Sequence, residues 1–278
     1  GLAVLKTGMP CRMVFSRSES MQASTKRHPG SMQASIGADA AGKVMAMTFH
    51  GDFNTGAYAS WGPTVATRVP VHASGPYLTP NYRATSRAVH TNGPTSGAFR
   101  GFGVPQAAIT QESLYDDLAQ KCGIDRLEFR RINALRDDDV TPCGQTLQAV
   151  GIIDCLDALK PHWDEFHAEV TAFNTTSRAH KRGIGIASCW YGCGNTGLPN
   201  PSTVRFGITP DGQLNLHQGE TDIGQGSNTV IAQIAADALG VQVGMINLVG
   251  PDTAITPDCG KTSASRQTFI TGRAAEAS

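Results

Sequence analysis

Several signals are missing from this sequence, and each absence narrows what the chain can be. Charge of either sign is not in excess: 23 Lys and Arg balance 23 Asp and Glu across 278 residues. There is no basic stripe to suit a nucleic-acid groove and no charge block to suit a disordered tail. The seven cysteines (Cys11, Cys122, Cys143, Cys155, Cys189, Cys193 and Cys259) contain no Cys-x-x-Cys pair. That argues against zinc ribbons and against iron–sulfur clusters held by this chain. They read as mostly reduced, buried thiols of a cytoplasmic protein. The apolar runs are far too short to span a bilayer, and no basic-then-apolar signal segment opens the chain. Internal repeats and low-complexity tracts are also lacking.

Glycine, by contrast, is abundant. There are 31 glycines in 278 residues, against a usual share of about 7%. An excess of glycine means tight turns, or backbone that approaches a ligand closely. Hydrophobic residues make up 40% of the chain, enough for a large core in one or two domains.

Residues 2–5 read as a helix already under way, and residues 271–278 as one still under way, so the chain is expected to be an internal piece. Cys11–Ser16 reads as a strand. Met32–Ile36 and Val44–Phe49 alternate apolar and polar residues around Ala41-Gly42-Lys43, which predicts a β-hairpin. Gly51–Pro94 is rich in Gly, Pro, Ser and Thr and reads as long loops with short strands. A helix is expected from Pro105 to Gly123, and another after Asp125. Thr146–Leu159 and Glu165–Lys181 read as helical, with a domain boundary between Val150 and Arg182. Gly183–Tyr191 reads as a strand. Thr203–Ile208 and Gln213–Gln218 flank the turn signal Pro210-Asp211-Gly212. A helix from Asn228 to Leu239, a strand over Val243–Val249 and a last helix near Ser265 complete the pattern.

Three segments share one design, a polar or glycine-rich loop that runs into a helix. They are Gly97–Pro105, Gly224–Ser227 and Gly260–Arg266. A helix N-terminus offers unpaired N–H groups and the positive end of its dipole, which suits a phosphate or oxyanion. The ligand is narrowed by exclusion. Gly101-x-Gly103 lacks the Gly-Lys-[Ser/Thr] of a Walker A loop. Gly192-x-Gly194-x-x-Gly197 matches a dinucleotide fingerprint, but Pro199 and Pro201 fall where its helix must run. The eight histidines are scattered, and His162 and His167 lie five apart, off the spacing that puts two metal ligands on one helix face. Oxyanion-holding loops without protein metal ligands suit a cofactor that brings its own ligands to its metal. An unrelated phosphate- or nucleotide-binding module, or a structural fragment without cofactor, stays open at this point.

Gly97-Ala98-Phe99-Arg100-Gly101-Phe102-Gly103-Val104-Pro105-Gln106 resembles the Ala-Phe-Arg-Gly-Phe-Gly-x-Pro-Gln signature of the xanthine dehydrogenase/aldehyde oxidoreductase family. The similarity continues through Lys121–Asp125, Arg131–Ala134, Lys181–Ile186, Gly224-Gln225-Gly226 and Thr262–Gln267 with Gly272, in family order. The resemblance implies a mixed α/β (α+β) fold: two molybdenum-cofactor-binding domains of twisted mixed sheets with packed helices, both incomplete, divided as 1–150 and 151–278. It implies a molybdenum–pyranopterin cofactor, with the cytosine dinucleotide form left open, and [2Fe-2S] and FAD groups on other domains or subunits. Phe99, Arg100, Gly101, Gly224, Gln225, Gly226, Thr262, Ser263, Ala264, Ser265, Arg266 and Gln267 would cradle the cofactor. Arg100 and Ala264 would offer backbone contacts near the molybdenum. Arg68, which precedes Arg100 by the family's spacing, would join Phe102, Asn195 and Thr196 in the substrate pocket. Asn195 departs from the aromatic wall of purine-oxidising members, which favours an aldehyde over a purine. The implied reaction hydroxylates an aldehyde or N-heterocyclic carbon with water-derived oxygen and passes electrons to iron–sulfur centres. The family's catalytic glutamate is expected beyond Ser278, so this piece alone is expected to be inactive. The parent is expected to be a cytoplasmic homodimer that binds neither nucleic acid nor membrane.

Overall fold

Alternation of large apolar and polar side chains builds the first sheet. Strand β1 (Gly30–Ala38) pairs antiparallel with β2 (Val44–Gly56), placing Ala34 opposite Phe49. Along β2 the residues Val44, Met47, Phe49 and Phe53 are buried. The connecting turn closes on Asp39, whose carboxylate accepts the Ala41 and Lys43 N–H groups at 3.0 and 2.9 Å. Gly42 at φ 81° supplies its left-handed residue. The expected hairpin is present.

The computed structural model describes residues 1–194 and 199–278 and divides them into two compact units, Gly1–Trp190 and Tyr191–Ser278. In the first unit, helix α3 (Gly62–His72) follows the hairpin and leads to β3 (Asn81–His90), which pairs parallel with β2. Ala66, Val69 and Ala73, on and just after α3, pack on Met47, Phe49 and Phe53. The loops expected across Gly51–Pro94 are therefore largely regular structure. Pro63 lies in the first turn of α3, where no N–H partner is lost, although Pro70 stands within the helix. Arg83, Thr85 and Arg87 of β3 are exposed and alternate with the half-buried Tyr82, Ala84, Ser86 and Ala88 on a partly solvated sheet.

Two short helices, α1 (Leu2–Thr7) and α2 (Arg17–Ala23), precede the sheet. The strand expected over Cys11–Ser16 does not form. That segment leads into a capping box in which Ser16 and Glu19 each accept the other's backbone N–H. Helix α4 (Val104–Cys122) ends at Gly123, and α5 (Arg126–Asn133) starts at Asp125, both as expected. The two helical segments expected beyond Thr146 are one continuous helix, α6 (Ile152–Thr176). It is tied to α5 through Trp163 Nε1, which donates to Asp125 at 2.9 Å, and through the Arg131–Asp157 ion pair. The strand expected over Gly183–Tyr191 does not form: this segment has no regular secondary structure and no sheet pairing among the described residues.

The second unit repeats the plan. Strand β4 (Arg205–Ile208) pairs antiparallel with β5 (Leu214–His217), and β6 (Ile246–Val249) is added parallel to β5 after helix α7 (Ser227–Leu239). Residues 243–245, expected in the last strand, form a 3-10 turn instead. A π turn over Gln267–Thr271 leads into α8 (Gly272–Glu276). Leu216, Ile231, Ala232, Ala235, Ile246 and Ala275 form its core. The cysteines are not the buried thiols expected: Cys259 is enclosed, Cys122 is half-buried, and Cys11, Cys143, Cys155, Cys189 and Cys193 are exposed on helices and connecting segments outside the cores. Both units are thus mixed sheets with packed helices, the expected fold class. No helix among the described residues is long and apolar enough to cross a membrane.

Candidate functional site

The signature loop of the first unit is a run of left-handed backbone. Gly101, Phe102 and Gly103 have φ of 88°, 45° and 104°. Two tight turns hold them: Phe102 N donates to Phe99 O at 2.8 Å, and Val104 N to Gly101 O at 2.9 Å. Gly103 then serves as the N-cap of α4. A Cβ there would lie 3.0 Å from Val69 Cγ2 and 3.2 Å from Val65 O, so only glycine lets the loop lie this close to α3. The loop is also gripped from β1's approach segment. Arg27 Nη2 donates to the Arg100 carbonyl at 2.5 Å, and its guanidinium lies 4.7 Å from the centre of the Phe99 ring. Gln106 Nε2 donates to the His28 carbonyl at 3.2 Å. Phe99 and Arg100 are exposed, and Phe102 meets Trp61 edge-on with ring centres 6.3 Å apart.

Arg68 lies on α3 between Val65 and Val69, the two residues against Gly103, and is half-buried. Its carbonyl is 2.9 Å from His72 Nδ1. Burial holds the His72 imidazole below its usual range, and the Arg68 charge adds to that effect while the hydrogen bond opposes it.

The second unit brings two loops together. Gly224 and Gly226 have φ of 98° and 84°, and a Cβ on either would meet nothing within 4 Å. Asp222 organises this loop by accepting the N–H groups of Gly224 (2.7 Å), Gly226 (3.4 Å) and Asn228 (3.2 Å). Those bonds hold its carboxyl below the usual carboxylate range. Gln225 folds back: its Oε1 accepts the Ile223 N–H at 2.7 Å, and its Nε2 donates to Ser227 Oγ at 2.7 Å and to Glu220 Oε1 at 3.3 Å. Thr262 ties the second loop to the first, since its hydroxyl donates to Thr221 O at 2.8 Å and accepts the Thr221 N–H at 3.2 Å.

In that second loop Ala264 and Ser265 are left-handed at φ 56° and 52°, a conformation L-residues hold only under constraint. Their carbonyls are engaged, by the Gly194 N–H at 2.7 Å and the Cys193 thiol at 3.1 Å. Arg266 is buried, and its guanidinium donates to the carbonyls of Cys259 (2.6 Å), Lys261 (3.3 Å) and Pro201 (2.7 Å). Gln267 is buried as well and bonds Thr271, Thr262 and Gly260. Asn195 and Thr196 lie outside the described residues.

Residues 1–134 match the family of the molybdopterin cofactor-binding domain, and residues 158–278 match a second molybdopterin cofactor-binding domain. The aldehyde oxidoreductase of Megalodesulfovibrio gigas is 33% identical over 98% of this chain. The chain belongs to the xanthine dehydrogenase/aldehyde oxidoreductase family. It spans about a third of the curated relatives it matches: 30% of that aldehyde oxidoreductase. The nicotinate dehydrogenase large molybdopterin subunit of Eubacterium barkeri is 44% identical over 56% of this chain and 37% of its own length. The solved aldehyde oxidoreductase of Desulfovibrio desulfuricans superposes with a TM-score of 0.90 at 32% identity, over 99% of this chain and 30% of that one.

A molybdopterin domain must hold a phosphate and a heterocycle while leaving the metal to the cofactor. The residues present fit that need. Gly224 and Gly226 leave open space at the mouth of α7, where backbone can meet a phosphate. Buried polar atoms without a protein partner remain beside both loops, Arg27 Nη1 in the first unit and Glu220 Oε2 in the second. Among the described residues no three His, Cys, Asp or Glu side chains gather as a metal-ligand group. Sequence reasoning missed Arg27, Trp61, Glu220 and Asp222. Two acids ahead of Gly-Gln-Gly were the available signal for the last pair.

Proposed function

We propose that the chain supplies most of the molybdopterin cradle of an enzyme that hydroxylates an aldehyde or an N-heterocycle. The observation that carries this reading is the pair of left-handed glycines, Gly224 and Gly226, open at the start of α7. Gln225 with these glycines takes the pterin and its phosphate, and Thr262, Ser263, Ala264 and Ser265 close over it. Phe99, Arg100 and Gly101 are the first unit's cofactor contacts, and the resemblance gives the backbones of Arg100 and of Ala264 the role of contacts that would lie near the metal. Arg266 and Gln267 support the cradle from beneath, because their side chains are committed to the protein's own groups. The bound cofactor supplies the oxidation chemistry, and the protein supplies placement and electrostatics. The domain division is placed near residue 150, as 1–150 and 151–278, a reading supported by the family matches at 1–134 and 158–278 although the compact units part after Trp190. Iron–sulfur and flavin groups reside elsewhere in a cytoplasmic, homodimeric parent, and the cofactor is carried there as the simple pterin or its cytosine dinucleotide. The catalytic glutamate comes from beyond Ser278.

Arg68 is the first unit's substrate-pocket cation, with Phe102 from the same unit, and the resemblance gives Asn195 and Thr196 substrate-facing roles as well. Its helix abuts the signature loop at Gly103. A charged hydrogen bond to a developing negative oxygen is worth about 1.5–3 kcal/mol, or roughly tenfold to a hundredfold in rate. In the holoenzyme containing this chain, Arg68→Ala is expected to lower turnover by that factor and leave molybdenum near one per chain. Metal analysis and an aldehyde-oxidation assay on the same preparation check this. Unchanged turnover would remove Arg68 from the pocket, and a wild-type enzyme without molybdenum would overturn the cradle.

A further inference from the structure

Glu220 belongs to none of the recognised motifs, yet it lies at the centre of the Gly224–Gly226 loop. The whole residue is buried. Its Oε1 accepts hydrogen bonds from the Ser227 hydroxyl and from Gln225 Nε2. Its backbone N–H is fixed by Gln218 Oε1 at 2.6 Å, and Gln218 is itself buried. Its Oε2 is buried and meets no hydrogen-bond partner in the protein. An ionised carboxylate there would leave charge on an unsolvated oxygen, which is far costlier than burying a neutral acid. Asp222, two residues on, already carries the loop's negative charge, stabilised by backbone N–H groups. From the facing segment, Cys259 presents its sulfur to the Gly219 N–H at 3.1 Å.

We propose that Glu220 is the positioning residue of this loop, a neutral carboxylic acid that fixes the Gln225 amide and the Ser227 hydroxyl for the pterin cofactor. The proposal rests on the reading of Gln225 as a cofactor contact. Oε1 works as the acceptor and Oε2 carries the proton. Burial, reinforced by the Asp222 charge, pushes the Glu220 carboxyl above its usual range, while the bonds from Ser227 and Gln225 pull the other way. A group whose folded value is raised loses its contribution as pH rises through that value. The loop should therefore loosen on the alkaline side of the Glu220 titration.

The test is made on the holoenzyme that contains this chain, with molybdenum by elemental analysis and pterin by fluorescence after acid release. Glutamine reproduces a protonated glutamate, with one acceptor oxygen and a donor beside it. Glu220→Gln should keep molybdenum and pterin near the wild-type level, whereas Glu220→Ala should lose them about tenfold to a hundredfold, the range for partners that orient a binding group. Wild-type retention should fall as pH rises, and the Glu220→Gln enzyme should not follow. Full retention in Glu220→Ala overturns the proposal, as does a wild-type retention that is independent of pH. Gln225→Ala separates the two layers of the argument. If it keeps its molybdenum, the cofactor reading of the loop fails. If it loses molybdenum while Glu220→Ala does not, the Glu220 assignment alone fails.

Discussion

The two units follow one plan, an antiparallel hairpin extended by a parallel strand after a helix, yet they shape their loops by different means. In the first unit the loop is shaped by packing. Gly103 is wedged against Val65 and Val69, and Gly101 against the ring of Pro105. In the second unit a Cβ on Gly224 or Gly226 would meet nothing within 4 Å, and the loop is shaped by hydrogen bonds that converge on Asp222 and Glu220. The buried polar chemistry differs in the same sense. Helix α4 is anchored by Arg130, fully buried, which bonds the Glu112 carboxylate through Nε and Nη2 at 2.8 and 2.7 Å. Tyr77 and Gln111 donate to the other Glu112 oxygen at 3.0 and 2.7 Å. In the second unit the enclosed acid is bonded by neutral amide and hydroxyl groups. A packed loop is a rigid wall, whereas a loop tied only by hydrogen bonds leaves its backbone facing outward for a ligand.

The largest test of that contrast is Arg130→Met. Removing one partner of a buried ion pair leaves an uncompensated charge and costs about 3–5 kcal/mol. All three tryptophans, Trp61, Trp163 and Trp190, lie in the first unit, so their fluorescence reports on that unit alone. Urea unfolding followed by tryptophan emission should show the full loss. A change below about 1 kcal/mol, the scale of an exposed pair, would mean that packing alone anchors α4.

A paired glycine replacement sharpens the comparison with a smaller effect. Alanine at either Gly103 or Gly224 meets a left-handed backbone, which costs about 1–3 kcal/mol. Only at Gly103 does the new methyl also press on α3, adding about 1–3 kcal/mol of overpacking. Gly103→Ala should therefore be the more destabilising, by denaturant unfolding of each variant. Gly224→Ala should instead lower bound molybdenum with the smaller loss of stability. Equal stability losses would show that the second loop is packed as tightly as the first.

How much of this was legible in the sequence follows from which forces leave a periodic trace. The β1–β2 hairpin was legible because Met32, Ala34, Ile36 and Met47, Phe49 alternate on one face. Strand β3 was not, because Arg83, Thr85 and Arg87 occupy its outward positions and mimic a polar loop. Helix α3 was hidden by Gly62, Pro63 and Pro70, although Gly62 is required by the closeness of the Thr55 side chain. At the site, the glycines and the order of the motifs could be read directly. The direction of the Arg266 and Gln267 side chains could not, since burial turns them toward the chain's own carbonyl and hydroxyl oxygens. Glu220 and Asp222 look alike as letters, and only enclosure of one and backbone N–H bonds to the other set them apart.

The smallest effect concerns how each unit starts a helix. Helix α5 is capped by the side chain directly before it: Asp125 Oδ1 accepts the Leu127 and Glu128 N–H groups at 2.9 and 3.1 Å. Helix α7 begins at Gly226 without a side-chain cap of its own and relies on Asp222 from across the loop. Burial works against the Asp125 charge, but the bonds from Trp163 and the two N–H groups outweigh it and hold the carboxyl below its usual range. A group with a depressed folded value contributes above its unfolded value, about 3.9 for aspartate, and loses that contribution as pH falls through the folded one. Asp125→Ala should cost about 1 kcal/mol at neutral pH, the value of a lost cap. Asp125→Asn keeps acceptors for the cap but should flatten the loss of first-unit stability below about pH 4. Tryptophan emission read during acid titration distinguishes the cases, because Trp163 Nε1 donates to the same carboxylate. An acid profile in Asp125→Asn that matches the wild type would assign the slope to other carboxylates and leave Asp125 a cap without a pH role.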